Sequence, residues 1–299
     1  MSAPIPSVAW VNGEFKNIDD ATVSVLDRGF LFADGVYDVA AVIAGRAIDL
    51  PAHLNRMARS LHEMKLTSPV PLNQLPGLMT ELIQRESLQE GMIYLQVTRG
   101  ADRTRGFSFP DSQTTPATLV MFAQQKKLVD NPDALNGVTA ISIPDIRWRR
   151  RDIKSISLLP QVLGKQLATE AGAFEAIMIE DGYVTEGTSS AVGMIRANEL
   201  VTRPISNDIL DSITRRAIDH LCQQTDLKVV ERKFALEELV DADEVFVASA
   251  TALITPVISI DGHAIGNGVP GPWAQQLRKS YLSVAITEDT DMASFEWND

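Results

Sequence analysis

Between Glu175 and Ser190 the chain spells out a strand, a turn and a second strand. Glu175 to Ile179 is mostly apolar, Asp181-Gly182 is a two-residue turn signal, and Tyr183 to Thr185 resumes the run. An Asp-Gly pair accepts the positive-φ geometry that a tight antiparallel hairpin requires, so this stretch enters a sheet. Directly after the hairpin comes Glu186-Gly187-Thr188-Ser189-Ser190. Upstream, Asp152-Ile153-Lys154-Ser155-Ile156 sets a lysine among apolar residues. A lysine and a carboxylate thus stand at the edges of strand-like segments.

Taken alone, Lys154 reads as a solvated or salt-bridged lysine, and Glu186 as the turn residue that closes a hairpin. Taken together they suggest amine chemistry. A lysine held among apolar neighbours loses hydration as a cation, and the neutral amine it becomes can attack an aldehyde to form a Schiff base. Pyridoxal 5'-phosphate is such an aldehyde. A carboxylate facing its pyridine nitrogen keeps that nitrogen protonated, so the ring can draw electrons from a substrate carbanion.

The 299 residues suffice for two domains, and 45% hydrophobic with 22% charged residues is an ordinary globular balance. A net charge of −12 argues against nucleic acid or an anionic membrane as partner. Anionic ligands therefore need locally placed arginines. The single cysteine, Cys222, excludes an internal disulfide and suits a reducing cytoplasm, where it reads as a small core residue of a helix. Met1 to Ser7 lacks a basic region followed by an apolar run, and no stretch approaches the roughly 18 apolar residues of a membrane span, so an unexported protein is expected.

Val8 to Val11 followed by Asn12-Gly13 predicts a hairpin. One helix begins at Pro51, with Leu54, Met57, Ala58, Leu61 and Met64 inward, and another carries Leu75, Leu78, Met79, Leu82 and Ile83. Met92 to Thr98 and Ala117 to Ala123 read as strands around a long loop, Arg99 to Thr115. Further on, Val138 to Ile143, Val229 to Arg232 and Glu244 to Ala248 read as strands. Leu163 to Ala171, the stretch after Ile213-Thr214, and Trp273 to Tyr281 read as helices. The class is α+β. The expected organisation is a small N-terminal α/β domain over 1–123, a linker over 124–136, a larger domain over 137–287 and an acidic, mobile tail over 288–299.

Six segments, taken in order, carry a resemblance: Val25-Leu26-Asp27-Arg28-Gly29-Phe30-Leu31-Phe32-Ala33-Asp34-Gly35-Val36-Tyr37, His53-Leu54-Asn55-Arg56, Asp152-Ile153-Lys154-Ser155, Val184-Thr185-Glu186-Gly187-Thr188-Ser189-Ser190, Ile213-Thr214-Arg215 and Ile254-Thr255-Pro256-Val257. The chain resembles the class IV pyridoxal phosphate aminotransferases from about Val8 to Leu282, and within them it looks most like the D-amino acid transaminases. That implies the two-domain fold type IV architecture, with pseudo-barrel sheets in the larger domain and the cofactor at the domain interface. It also implies a homodimer whose active site is completed by the partner subunit.

By the same resemblance Lys154 carries the cofactor and moves the proton, and Glu186 faces the ring nitrogen. Arg56, the amides of Ile213 and Thr214, the Thr214 hydroxyl, Ala250 and Thr251 take the phosphate, while Thr188, Ser189 and Ser190 add hydrogen bonds around ring and lysine. Tyr37 and a loop arginine hold the substrate carboxylate. Arg105 fits that arginine, with Arg103 competing because the loop is one residue longer than usual.

The chain departs from the family in four places. Ser212 stands where glycine is frequent, Ala250 replaces a hydroxyl residue, and Asp38 stands where glutamate is frequent beside the lysine. Phe107 occupies the position of a histidine and cannot donate a hydrogen bond. This last change keeps open an (R)-selective amine transaminase, with a branched-chain aminotransferase, an aminodeoxychorismate lyase-type enzyme or a silent ligand-binding relative further off. The basic run Arg147 to Arg151 is expected to pair with acidic neighbours or a dimer partner. The scattered His53, His62, His220 and His263 suggest no metal site, and no Gly-x-Ser-x-Gly or P-loop pattern occurs.

Overall fold

Asn12 and Gly13 both adopt positive φ, 49° and 107°, which turns β1 (Val8–Val11) back onto β2 (Glu14–Asn17). This hairpin opens the first of two units in a computed structural model that describes residues 5–287. The acidic tail expected from residue 288 lies outside the described residues. Of the described residues, the first unit holds 5–127 together with Ile153–Ser157, and the second holds Leu128–Asp152 and 158–287.

In the first unit, α1 (Arg28–Phe32) precedes β3 (Gly35–Ile43) and β4 (Arg46–Ala47), then α2 (Leu50–Glu63), α3 (Leu75–Arg85), β5 (Glu90–Thr98) and β6 (Thr118–Gln125). The strands form one antiparallel sheet in the order β2-β1-β6-β5-β3-β4. Strand alternation divides its faces. Ile93, Leu95, Val97, Leu119 and Met121 join Met57, Leu61, Leu75, Met79 and Leu82 of the two helices in a core. The opposite face is wetter and carries Tyr37, Tyr94 and Phe122, whose rings stack at 5.6 and 4.9 Å. The buried stripe of α2 runs through Ala52, His53, Arg56, Met57, Ser60 and Leu61, rotated from the expected one. His53 and Arg56 turn inward, where both meet Asp38 of β3.

The second unit begins with α4 (Pro132–Asn136), β7 (Val138–Pro144), α5 (Leu159–Glu170), β8 (Glu175–Glu180) and β9 (Tyr183–Gly187). It continues through β10 (Ala191–Arg196), β11 (Glu199–Thr202), α6 (Ile213–Cys222), β12 (Lys228–Glu231) and α7 (Leu236–Val240). β13 (Glu244–Ser249), β14 (Leu253–Ile260), β15 (His263–Ala264) and α8 (Pro272–Ile286) complete it. A mixed sheet in the order β12-β11-β10-β13-β14-β7-β8-β9, with β15 beside β14, curls into a half-barrel. Ile177, Val184, Met194, Phe234, Val245, Val247 and Val257 lie in its core. Cys222 is buried on α6, as a helix core residue should be. Helix α5 starts a turn earlier than its apolar run suggested, and Leu159, Val162, Leu163 and Leu167 remain 49–68% exposed.

Candidate active site

Lys154 is placed by backbone as much as by side chain. Ile153–Ser157 lies along β3: Ser155 bridges to Val36, the Tyr37 amide donates to the Lys154 carbonyl at 3.0 Å, and the Ile156 amide to the Gly35 carbonyl at 3.1 Å. A side chain at Gly35 would meet the Val97 carbonyl of β5 at 2.7 Å and the Ile156 side chain of the strip at 3.0 Å, so glycine lets β3 lie close to both. On the other side the Lys154 amide donates to the Ser60 hydroxyl of α2. The half-buried Nζ lies 3.4 Å from the Tyr37 hydroxyl and 4.4 Å from the centre of its ring. The lysine and tyrosine named from the sequence thus come together.

One residue along β3, Asp38 points to the opposite face and binds α2. It accepts Arg56 Nε at 2.9 Å, Arg56 Nη2 at 2.7 Å and its neighbour's Val39 amide at 2.7 Å, and it meets His53 Nδ1 at 2.8 Å. Burial pushes the Asp38 carboxyl up, but the Arg56 guanidinium and His53 outweigh it and hold it well below the usual carboxylate range. Asp38 therefore acts on Arg56, an orienting role its place beside the lysine did not suggest.

In the second unit, Glu186 closes β9 with both oxygens engaged. Oε2 accepts Arg147 Nη1 at 2.6 Å and Oε1 accepts the Leu210 amide at 3.0 Å, and each oxygen retains a lone pair for another donor. Burial pushes the Glu186 carboxyl upward, opposed by Arg147 and the Leu210 amide and helped by the nearby Asp145 charge. Arg147 also grips Asp145 through Nε at 3.0 Å and Nη2 at 2.7 Å. The basic run thus pairs within its own unit, since Arg150 binds Asp152 and Arg151 binds Glu180.

Glu175 is the participant the sequence hid inside an apolar strand. Only 1% exposed, it accepts the Thr188 amide at 3.2 Å, the Thr188 hydroxyl at 2.5 Å and the Ser190 hydroxyl at 2.8 Å. The protons of Thr188 and Ser190 are thereby directed at Glu175, while Ser189 is exposed. Helix α6 starts at Ile213, where Ser212 caps it by accepting the Arg215 amide at 3.3 Å. That gives the serine a task glycine could not perform, and it leaves the first amides, Ile213 and Thr214, pointing out of the helix start. Ala250 and Thr251 lie in the tight turn between β13 and β14, closed by the Ala252 amide on the Ser249 hydroxyl at 3.2 Å.

Arg103, Arg105 and Phe107 are exposed on the loop between β5 and β6. The Arg105 guanidinium lies over the rings of Phe32 at 4.8 Å and Phe107 at 5.5 Å, and those rings are 5.3 Å apart. Among the described residues no cluster of histidine, cysteine, aspartate and glutamate could hold a metal ion, and no helix is long and apolar enough to cross a membrane.

The family model for amino-transferase class IV matches residues 35–260. The D-alanine aminotransferase of Bacillus licheniformis is 39% identical over 277 residues, covering 93% of this chain and 96% of that protein. That of Staphylococcus haemolyticus is 39% identical over 274 residues, covering 91% and 95%. In fold, the branched-chain amino acid aminotransferase from Escherichia coli superposes with a TM-score of 0.85 at 23% identity over 99% of both chains. The one from Thermobaculum terrenum in its PLP form gives 0.83 at 24% identity over 96% of both.

Proposed function

The chain belongs to the class IV aminotransferases, and from that premise we propose that it moves the amino group of a D-amino acid to a 2-oxo acid, such as pyruvate or 2-oxoglutarate, by a ping-pong route using pyridoxal 5'-phosphate. The observation that carries the reading is the half-buried Lys154 amine beside the Tyr37 hydroxyl. The donor set fits the cofactor: an amine for its aldehyde, a buried carboxylate for its ring nitrogen, and an arginine with a helix start for its phosphate. When bound, the cofactor supplies a protonated ring that withdraws electrons from the substrate carbon.

Lys154 would hold the cofactor through Nζ, and the same nitrogen, when free, would take up the substrate carbon's proton. Glu186, steadied by Arg147, holds the proton on the ring nitrogen. Arg56, oriented by Asp38, binds the phosphate with the Ile213, Thr214 and Ala250 amides and the Thr214 and Thr251 hydroxyls. Ser189 and Ser190 border the ring. Tyr37 and Arg105 bind the substrate carboxylate, with Arg103 the alternative to Arg105.

The active form is a homodimer in a reducing, cytoplasmic setting, with the 99–110 loop serving the neighbouring subunit. Two observations support self-association: the exposed apolar stripe of α5, and Val25, Phe30, Phe107 and Phe109 of the first unit, 58–79% exposed. Phe107 favours a second reading, an (R)-selective amine transaminase, because a ring tolerates an apolar substituent where a histidine would select a carboxylate.

Borohydride reduction followed by peptide mapping tests the assignment, with a phosphopyridoxyl group expected on Lys154. The same label on Lys165 would overturn it. A donor panel of D-alanine, L-leucine and (R)- and (S)-1-phenylethylamine against pyruvate and 2-oxoglutarate separates the two readings, D-alanine being expected to lead.

A further inference from the structure

Arg28 is 4% exposed and has no part in the chemistry above, yet its donors converge on the loop that carries Arg105. Nη1 donates to the Gly106 carbonyl at 2.6 Å and the Ser108 carbonyl at 3.3 Å, and Nη2 to the Phe107 carbonyl at 3.3 Å. These are the three residues that follow Arg105. Its Nε donates to Asp34 at 2.8 Å, and the same carboxylate oxygen accepts Arg99 Nε at 2.8 Å. Arg99 in turn donates to the carbonyls of Met64 and Lys65, just past the end of α2, at 2.7 and 2.9 Å. The Arg28 guanidinium lies 4.8 Å from the centre of the Phe32 ring, which also underlies Arg105 at 4.8 Å.

The base of the loop is fixed by separate contacts. The Arg28 amide donates to the Gly100 carbonyl at 2.9 Å, Asp27 bridges to Ala101, and the Thr98 hydroxyl donates to Asp27 at 2.9 Å. Beyond Ala101 the loop has no ladder to hold it, and a long irregular segment explores many conformations unless side chains restrain it. Three carbonyls in succession together with the Asp34 carboxylate need four N–H donors in a spread fork, and a guanidinium has five where an ammonium has three.

We propose that Arg28 is a positioning residue for substrate recognition: by gripping the Gly106 to Ser108 carbonyls and sharing Phe32 with Arg105, it fixes where the Arg105 guanidinium meets the substrate carboxylate. This rests on the reading that Arg105 binds that carboxylate. Asp34 stays paired with Arg99 when Arg28 is altered, so the buried charge remains compensated and the fold tolerates the change.

The test is a kinetic double-mutant cycle with D-alanine on the holoenzyme, combining Arg28→Lys with Arg105→Ala. Arg28→Lys is expected to raise KM about 10-fold with kcat and cofactor absorbance retained, and to change nothing further in the Arg105→Ala background. An unchanged KM in Arg28→Lys, with Arg105→Ala impaired, overturns the proposal while leaving Arg105 in its role. Equal, additive losses in both backgrounds make Arg28 a structural residue and also overturn it. If Arg105→Ala itself leaves KM unchanged, the carboxylate reading fails and the proposal falls with it. Should Arg28→Lys not accumulate as folded enzyme, Phe32→Leu takes its place in the cycle, with the same KM rise and the same silence beside Arg105→Ala expected.

Discussion

Asp38 and Glu186 are both buried carboxylates gripped by an arginine, and they titrate in opposite directions. Asp38 takes two bonds from Arg56 and faces His53, so its charge is compensated within the first unit. Glu186 has Arg147, but that guanidinium turns two of its nitrogens to Asp145, whose own charge repels Glu186. A further cation, Arg151, lies 3.5 Å from Asp145 and is bound through both terminal nitrogens to Glu180. The Asp38 cluster is electrostatically complete. The Glu186 cluster gains from a further positive group, which is what a protonated ring nitrogen offers.

The sharpest way to break this contrast is to neutralise the complete cluster. Asp38→Asn removes the carboxylate charge that faces the buried Arg56 guanidinium and should lower folding stability by about 3–5 kcal/mol, read by urea unfolding. Arg56→Ala should cost about as much by stranding Asp38, and should also weaken cofactor retention about 10- to 100-fold in a titration. If either variant unfolds like the parent, the charges of this cluster are not what holds α2 to β3.

Neutralising the incomplete cluster should act on chemistry instead. Glu186→Gln is expected to bind cofactor but to turn over about 10- to 100-fold more slowly, the scale of one hydrogen bond to a charged group, with folding little changed. Unchanged turnover would reduce Glu186 to a turn residue.

The smallest effect is in the pH dependence of the cofactor-free protein. Because the folded Asp38 carboxyl is depressed, its contribution is complete above the unfolded value near 3.9 and disappears as pH falls through the folded value. Glu186 runs the other way: its folded carboxyl is raised, so stability declines as pH rises from the unfolded value near 4.3 through the folded one. Urea unfolding at stepped pH should show that decline shrink in Glu186→Gln, leaving the part due to Asp219, whose carboxyl burial pushes up to about 6, while the acid-side loss persists. A decline that the substitution leaves unchanged belongs wholly to other groups.

Local signals were legible and long-range pairings were not. Asn12-Gly13 and Asp181-Gly182 announced their hairpins because a two-residue turn with positive φ needs such residues, and the turn at Asp181 and Gly182 shows φ of 53° and 81°. Proline in the first turn marks the start of α2, and Pro160 likewise marks that of α5, four residues before the apolar run at Leu163 suggests. Strands β10 and β11 were missed among mixed residues that only their sheet neighbours explain. In the site, Lys154, Tyr37, Arg56 and Glu186 could be named from motifs, but their supports could not. Asp38 reaches Arg56 across 18 residues, Arg147 reaches Glu186 across 39, and Arg28 reaches Phe107 across 79. No periodicity encodes such pairs. Glu175 left one trace, an acidic residue opening an apolar strand.

The short insertion of Ile153–Ser157 beside β3 has a consequence for how this protein can be divided. Neither unit is written by one uninterrupted stretch of gene, because the backbone leaves the first unit after Lys127, returns for five residues and departs again. Lys154, the residue proposed to hold the cofactor, travels in that loan. A split after Lys127 would separate β3 from the strip that borders it and leave the lysine on the other fragment. Recombination between relatives at this point would therefore join a sheet to a foreign lysine strip, and the hybrid would depend on Val36 and Tyr37 accepting the newcomer's backbone.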